Sequence, residues 1–245
     1  MKDNFSKQAQ LYAAYRPSYP KELFDFILSH VKNWDAAWDC ATGNGQTAIE
    51  LAPFFKNVYA TDISQKQLDN ARTMDNIHYS LQSAEHTNFV DASFDLVTVS
   101  QALHWFAFDD FYKEVKRVTK PDGWIAAWSY SRLPITPAID AIIEKYHFNT
   151  LGEYWDKERK YVDDNYRFIP FPFNEIAVPS FKIIYEWNLQ QLEGYLNTWS
   201  ALQKFIAKNN YNPVSALMEE IRPHWLSERM KVVFPIHLRM AQVHK

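Results

Sequence analysis

The 245-residue chain holds one cysteine, Cys40, which excludes an internal disulfide framework and any all-cysteine metal cluster. No run approaches the roughly 20 consecutive apolar residues that cross hydrocarbon, so no membrane span is expected. Met1-Lys2-Asp3-Asn4-Phe5-Ser6-Lys7 lacks the apolar segment of a secretory signal, and the reading is of a cytoplasmic protein. Basic excess is missing too: 26 Lys and Arg stand against 29 Asp and Glu, scattered rather than in blocks, for a net charge of −3. Nucleic acid is therefore not the expected partner. There is no H-E-x-x-H, no close His/Cys cluster and no paired acid motif, so no metal is expected. A G-x-S-x-G elbow is also absent, and Cys40, placed inside an expected strand, reads as packing rather than as a nucleophile. Neither internal repeats nor low-complexity tracts occur.

What the chain does have is apolar bulk and aromatic rings. With 47% hydrophobic residues it is long enough for one large core. Its 9 Trp, 14 Tyr and 17 Phe exceed what such a core usually needs. Two readings stand: aromatic core packing, or a ring-lined pocket whose π faces cover flat substrates and attract cations.

Short apolar runs alternate with helical patterns through the first half, the layout of a parallel sheet covered by helices. Strands are expected at Ala36–Ala41, Val58–Thr61, Ile77–Leu81, Phe94–Ser100 and Trp124–Trp128. Helical spacing occupies Gln46–Phe55 and Gln65–Thr73, the second with a capping box of Ser64 and Gln67. Asp109 is the expected cap of a helix striped by Phe108, Phe111, Tyr112, Val115 and Val118, closed by Pro121-Asp122-Gly123. Ile135–Tyr146 reads as helix, and the aromatic, proline-punctuated Leu151–Pro179 as a partly irregular lid. Phe181–Trp187 and Lys231–Met240 read as late strands flanking helical patterns near Leu189–Lys208 and Pro213–Leu226. Together these predict a seven-stranded α/β sheet with helical insertions. One domain is expected, with a helical cap over residues 1–31, a cofactor-binding core over 32–135, a helix and lid-like insertion over 136–180, and late strands over 181–245 carrying a helical insertion at about 188–228.

The densest signal is Trp38-Asp39-Cys40-Ala41-Thr42-Gly43-Asn44-Gly45-Gln46 after the first strand, with Asp62 ending the second. In open α/β sheets these sites converge at the carboxyl ends of neighbouring strands, where nucleoside-bearing ligands bind. Small residues at Ala41, Gly43 and Gly45 let the backbone approach a ligand closely. Gly43-x-Gly45-x-x-Ala48 also matches the dinucleotide fingerprint, with Asp62 at the ribose-binding distance. Asp39 points the other way, because a carboxylate there repels a pyrophosphate and attracts a ligand carrying a sulfonium and an ammonium. Either acid could instead be structural, Asp39 at a strand end and Asp62 at a helix entry.

These residues resemble the first motif of class I S-adenosylmethionine-dependent methyltransferases, with Ala41 in place of the first glycine of D-x-G-x-G-x-G. The resemblance places cofactor contacts at Asp39, Ala41, Gly43, Gly45, Asp62, Ile63, Ala84, Glu85 and Ser100. Phe94-Asp95-Leu96-Val97 is similar to the family's fourth-strand motif, and Lys120-Pro121-Asp122-Gly123 to its K-P-G-G turn. Tyr12-x-x-Tyr15-Arg16-Pro17-x-Tyr19-Pro20, Gln101-Ala102-Leu103-His104-Trp105-Phe106 and Tyr195-Leu196-x-Thr198-Trp199-Ser200 resemble the methyltransferase type 11 group, which includes trans-aconitate methyltransferase-like enzymes. The likeness spans nearly the whole chain and implies an α/β, Rossmann-like three-layer sandwich with a seven-stranded mostly parallel sheet, last strand antiparallel, and helical cap insertions.

The resemblance implies S-adenosyl-L-methionine as cofactor and a small-molecule methyl acceptor, with an O-methylated carboxylate the favoured product and a monomer or weak homodimer as the working form. His104 lies near the expected methyl group, and its pKa range suits a base, although an orienting role fits equally. Arg16, held extended by Pro17, pairs with Tyr12 or Tyr15 as a candidate for a carboxylate of cofactor or substrate. Arg132 is a second candidate for an anion. Trp105, Trp128, Tyr130 and Trp199 are candidate pocket walls, for each of which core packing is the competing account. Two alternatives remain open on the sequence: a nicotinamide-dependent oxidoreductase, and a catalytically inactive cofactor-binding interaction protein.

Overall fold

A computed structural model describes residue 15 and residues 17–244. The candidates Tyr12 and Arg16 lie outside the described residues.

Largely apolar runs give strands buried on both faces, which places them at the centre of the sheet. β1 (Ala36–Cys40) and β4 (Phe94–Ser100) are of this kind, and they pair in parallel with Cys40 opposite Val99. β2 (Asn57–Asp62) and β3 (Ile77–Leu81) extend the sheet on one side, β5 (Thr119–Tyr130), β7 (Met230–Gln242) and β6 (Phe181–Trp187) on the other. The order is β3-β2-β1-β4-β5-β7-β6, with β7 antiparallel to both neighbours. β1 to β5 run parallel, so their carboxyl ends share one crest. The expected three-layer α/β sandwich is the observed architecture.

Each face of the sheet carries its own apolar cluster. On one face α1 (Lys21–Ser29) buries Leu23, Phe24, Ile27 and Leu28 in the cluster that also holds Trp128 and Phe234. On the other, α4 (Phe108–Val118) turns Phe111, Tyr112, Val115 and Val118 against Trp38 and Phe94. Asp109 and Asp110 sit in the first turn of α4 and Lys116 and Arg117 in the last, matching the helix dipole at both ends. Asp109 is thus inside the helix, and Ala107 holds the cap position expected for it.

The helices of the first two βα units are shorter than their spacing suggests, α2 covering Gln46–Leu51. α3 covers Gln65–Leu68, and no capping box forms at Ser64, because Gln67 is buried and the Ser64 N–H is taken by the Asp62 carboxylate at 2.9 Å. Pro121-Asp122-Gly123 lies within the long β5 rather than before it: Asp122 adopts φ +66° and the pairing with β4 shifts register between Phe94 and Leu96. The expected Leu189–Lys208 helix divides into α7 (Leu189–Leu196) and α8 (Ser200–Asn209), α7 opening on a capping box of Asn188 and Gln191. α5 (Pro137–Lys145), α6 (Arg159–Asp163) and α9 (Val214–Ile221) complete the helical additions above the crest.

Candidate functional site

At the crest, the backbone after β1 runs through three left-handed residues: Ala41 at φ +54°, Gly43 at φ +58° and Gly45 at φ +80°. For Ala41 this conformation costs roughly 1–2 kcal/mol, offset by the loop's anchoring, in which the Thr42 N–H donates to the Thr61 carbonyl at 2.9 Å. The two glycines are needed for different reasons. A Cβ on Gly43 would point into open space, with Gln67 Oε1 its nearest neighbour at 4.0 Å. A Cβ on Gly45 would lie 2.2 Å from the Tyr79 hydroxyl, which donates to the Arg72 carbonyl at 2.6 Å. Gly43 therefore leaves room above the loop, whereas Gly45 makes way for the chain's own tyrosine.

Asp39 corrects one expectation. It is fully buried, and Thr42 Oγ1 and Thr98 Oγ1 donate to its two oxygens at 2.5 and 2.9 Å. Burial pushes its pKa up to about 7, so it braces the loop from beneath instead of fronting it with a full charge. The acid that touches the loop is Asp62 at the end of β2, whose Oδ2 accepts the Gly43 N–H and Oδ1 the Ser64 N–H, each at 2.9 Å. Ile63 follows in the bend, half-buried. Across the crest Ala84 is buried, Glu85 accepts the Ala107 N–H at 3.1 Å, and Ser100 accepts the Thr47 hydroxyl at 3.1 Å. Cys40 is sealed in the sheet with its thiol pKa raised by burial, as packing requires.

Beside β4 a polar cavity is lined by Gln101, His104, Trp105, Tyr130, Ser131, Trp155, Asp156, Arg159, Tyr195 and Trp199. His104 is 6% exposed, and burial, then the nearby Arg159 charge, lowers its pKa to about 3. Its Nδ1 lies 2.9 Å from the Tyr166 phenol oxygen. Burial holds that phenol protonated, so it gives or takes the hydrogen bond with Nδ1 according to the ring's tautomer. With its pKa near 3 the ring is neutral near pH 7. Arg159 donates from Nε to Asp163 at 2.9 Å and stacks on Trp155 at 4.6 Å. Among the described residues its Nη atoms form no hydrogen bond.

Two candidates, one wall and one anion partner, are elsewhere. Trp128 is fully buried, edge-on to Tyr19 at 5.5 Å and Phe24 at 6.1 Å, because its position in β5 faces α1 and not the crest cavity. Arg132 is largely exposed, 3.7 Å from Glu144, and borders a second chamber instead. Tyr15 packs on α7, where a Cβ on Gly194 would lie 2.3 Å from its ring.

Sequence comparison matches residues 38–127 to a family described as a methyltransferase domain. A proposed methyltransferase from Dictyostelium discoideum is 33% identical over 249 residues, covering 98% of this chain and 95% of that protein. The chain belongs to the class I S-adenosylmethionine-dependent methyltransferases. The crystal structure of a proposed type II methyltransferase from Anaeromyxobacter dehalogenans aligns with a TM-score of 0.85 at 32% identity, covering 94% of this methyltransferase and 98% of that chain. The crystal structure of a Bacillus halodurans protein at 18% identity and TM-score 0.53, covering 92% of this methyltransferase and 100% of that chain, shows the same fold.

The crest fits the cofactor of this methyltransferase family. The open side of Gly43 gives the backbone a face that a nucleoside can approach, Asp62 holds the Gly43 N–H from the end of β2, and Glu85 stands in the loop that follows β3. Arg159, Trp155, Gln101 and Tyr166 were not among the sequence candidates. Arg159 and Asp163 stand four residues apart just after Trp155, the one local sign that this segment forms a helical turn with a stacked cation.

Proposed function

We propose that this methyltransferase transfers a methyl group to a carboxylate oxygen of a small molecule. The observation that carries the reading is a buried, neutral His104 that shares the cavity with the Arg159 guanidinium. Such a ring is a poor base, since a group with pKa near 3 takes up little proton near pH 7. An amine or phenol acceptor needs its proton removed; a carboxylate is already ionised. When bound, S-adenosylmethionine supplies a methyl group on positive sulfur, and attack by a carboxylate oxygen yields a neutral ester and a neutral thioether without releasing a proton.

The residues around the cavity suit that task. The Arg159 guanidinium offers donors to an anion, joined by His104 in the tautomer protonated on Nε2, and a guanidinium matches a carboxylate in a fork. Trp105, Trp155, Tyr195 and Trp199 exclude water, which holds acceptor and methyl donor in line. Asp62, Glu85 and the Gly43 face hold the cofactor, and Asp39 keeps the loop rigid beneath it.

The test is incubation with S-adenosylmethionine labelled in its methyl group and panels of carboxylic acids, phenols and amines. Label that alkali releases as methanol identifies an ester. Transfer confined to amines or phenols would overturn the reading.

A further inference from the structure

A second chamber of about 320 Å³ opens behind the crest cavity, walled by Leu133, Pro134, Ile143, Phe148 and Pro235. Its size is at the lower end of small-molecule pockets, roughly 300–1,000 Å³. Ser131, Arg159 and Trp199 line both spaces, so the two share a wall at the end of β5. The charges bordering this chamber are engaged within the protein. Asp163 sits between Arg159 Nε at 2.9 Å and His147 Nε2 at 3.4 Å, Glu144 faces Arg132 at 3.7 Å, and Asp140 accepts the Ile135 N–H at 2.8 Å. His237, the remaining titratable neighbour, has its pKa lowered by burial, which favours its neutral form. What is left for a ligand is apolar wall.

At the junction stands Arg159. Asp163 takes its Nε and Trp155 its flat face, which leaves the Nη donors at the boundary between the spaces. We infer that the two spaces form one bent acceptor site, in which Arg159 and His104 hold a carboxylate at the crest and the second chamber takes an uncharged hydrocarbon body attached to it. The acceptor class is thus a monocarboxylic acid with an alkyl or aryl tail, an inference that rests on carboxylate methylation as proposed above. Besides Arg159, the guanidinium bordering the chamber is that of Arg132, largely exposed and 3.7 Å from Glu144, so an ion buried among the apolar walls finds no buried partner and is disfavoured.

The experiment measures kcat/KM of the full chain for straight-chain acids from propanoate to decanoate, for 3-phenylpropanoate, and for α,ω-dicarboxylates of matching length, with alkali-labile label as readout. Each methylene buried in the chamber should raise kcat/KM about fourfold until the space is filled, and the dicarboxylates should fall well below the monoacids. Ile143→Trp, which narrows the chamber, should shift the ratio of octanoate to propanoate turnover at least tenfold towards the shorter acid. Phe148→Ala at the exposed rim should shift the preferred length upward. A flat length profile in the wild-type protein, or dicarboxylates preferred to monoacids, overturns the inference even if Ile143→Trp fails to fold. No labile label on any acid instead defeats carboxylate methylation itself, so the two failures are distinguishable.

Discussion

Gly45→Ala separates packing from ligand clearance at the cofactor loop. The substituted residue must hold φ +80°, which costs an L-residue roughly 1–2 kcal/mol. Its Cβ would also lie 2.2 Å from the Tyr79 hydroxyl, so the ring must swing and release the Arg72 carbonyl, a hydrogen bond worth about 0.5–1.5 kcal/mol. Gly45→Ala should therefore destabilise the fold by roughly 1.5–3.5 kcal/mol. Tyr79→Phe alone forfeits only the hydrogen bond, and it also removes the clashing atom, leaving the ring carbon at 3.1 Å as nearest contact. In the double variant that bond is lost once instead of twice. Urea unfolding of all four proteins should accordingly show a favourable coupling on the order of 1 kcal/mol. Strictly additive effects would refute the packing account. So would a Gly45→Ala protein of unchanged stability whose affinity for S-adenosylhomocysteine, measured by calorimetry, collapses.

Gly43→Ala should show the reverse pattern, a modest strain cost and weakened cofactor affinity, because its Cβ meets open space; equal affinity for the two proteins would place the ligand elsewhere. Asp62→Ala should weaken S-adenosylhomocysteine binding by about 1.5–3 kcal/mol through loss of a charged acceptor that also pins Gly43, and an unaltered calorimetric titration would remove Asp62 from the site. His104→Ala should raise KM for a carboxylate acceptor while sparing most of kcat; a fall beyond about a thousandfold in kcat would mark a base after all. Asp39 has a native pKa raised to about 7 from an ordinary value near 3.8, so between these pH values the folded state binds the extra proton. Its contribution is fully present below pH 4 and is lost as pH rises through 7, at roughly 1.4 kcal/mol per pH unit at most. Asp39→Asn should flatten stability against pH across that window in urea titrations, and an unchanged slope would show that the carboxylate titrates normally.

Legibility in the sequence followed the period of the residue pattern. Ile77–Leu81, Phe94–Ser100 and Phe181–Trp187 are strands with the bounds their apolar runs suggest. The loop glycines and Asp62 were visible because left-handed backbone and strand-end acids carry residue-type signatures. Capping at Ser64 and Asp109 failed because tertiary contacts claimed the relevant groups: Asp62 took the Ser64 N–H, and α4 begins one residue before Asp109. Trp128 looked like a pocket wall because periodicity cannot say which face of a doubly covered strand meets a ligand. Arg159 and Tyr166 escaped for another reason. Their partners, Trp155 and Asp163 for one and His104 for the other, are set by the folding of an irregular segment against the crest, which no local spacing encodes.

β7 enters the sheet between β5 and β6, and its Arg239 donates to the Tyr166 carbonyl at 3.1 Å, to the Ile169 carbonyl at 2.6 Å, and to Glu175. The segment that presents Tyr166 to the imidazole is thereby riveted from three directions, by Arg239 of β7, by the Tyr112 hydroxyl of α4 on the Pro170 carbonyl at 2.6 Å, and by Ser131 past the end of β5 on Asn165 at 2.8 Å. An irregular stretch of chain thus inherits the rigidity of the sheet, and the imidazole is held by a partner as fixed as a strand.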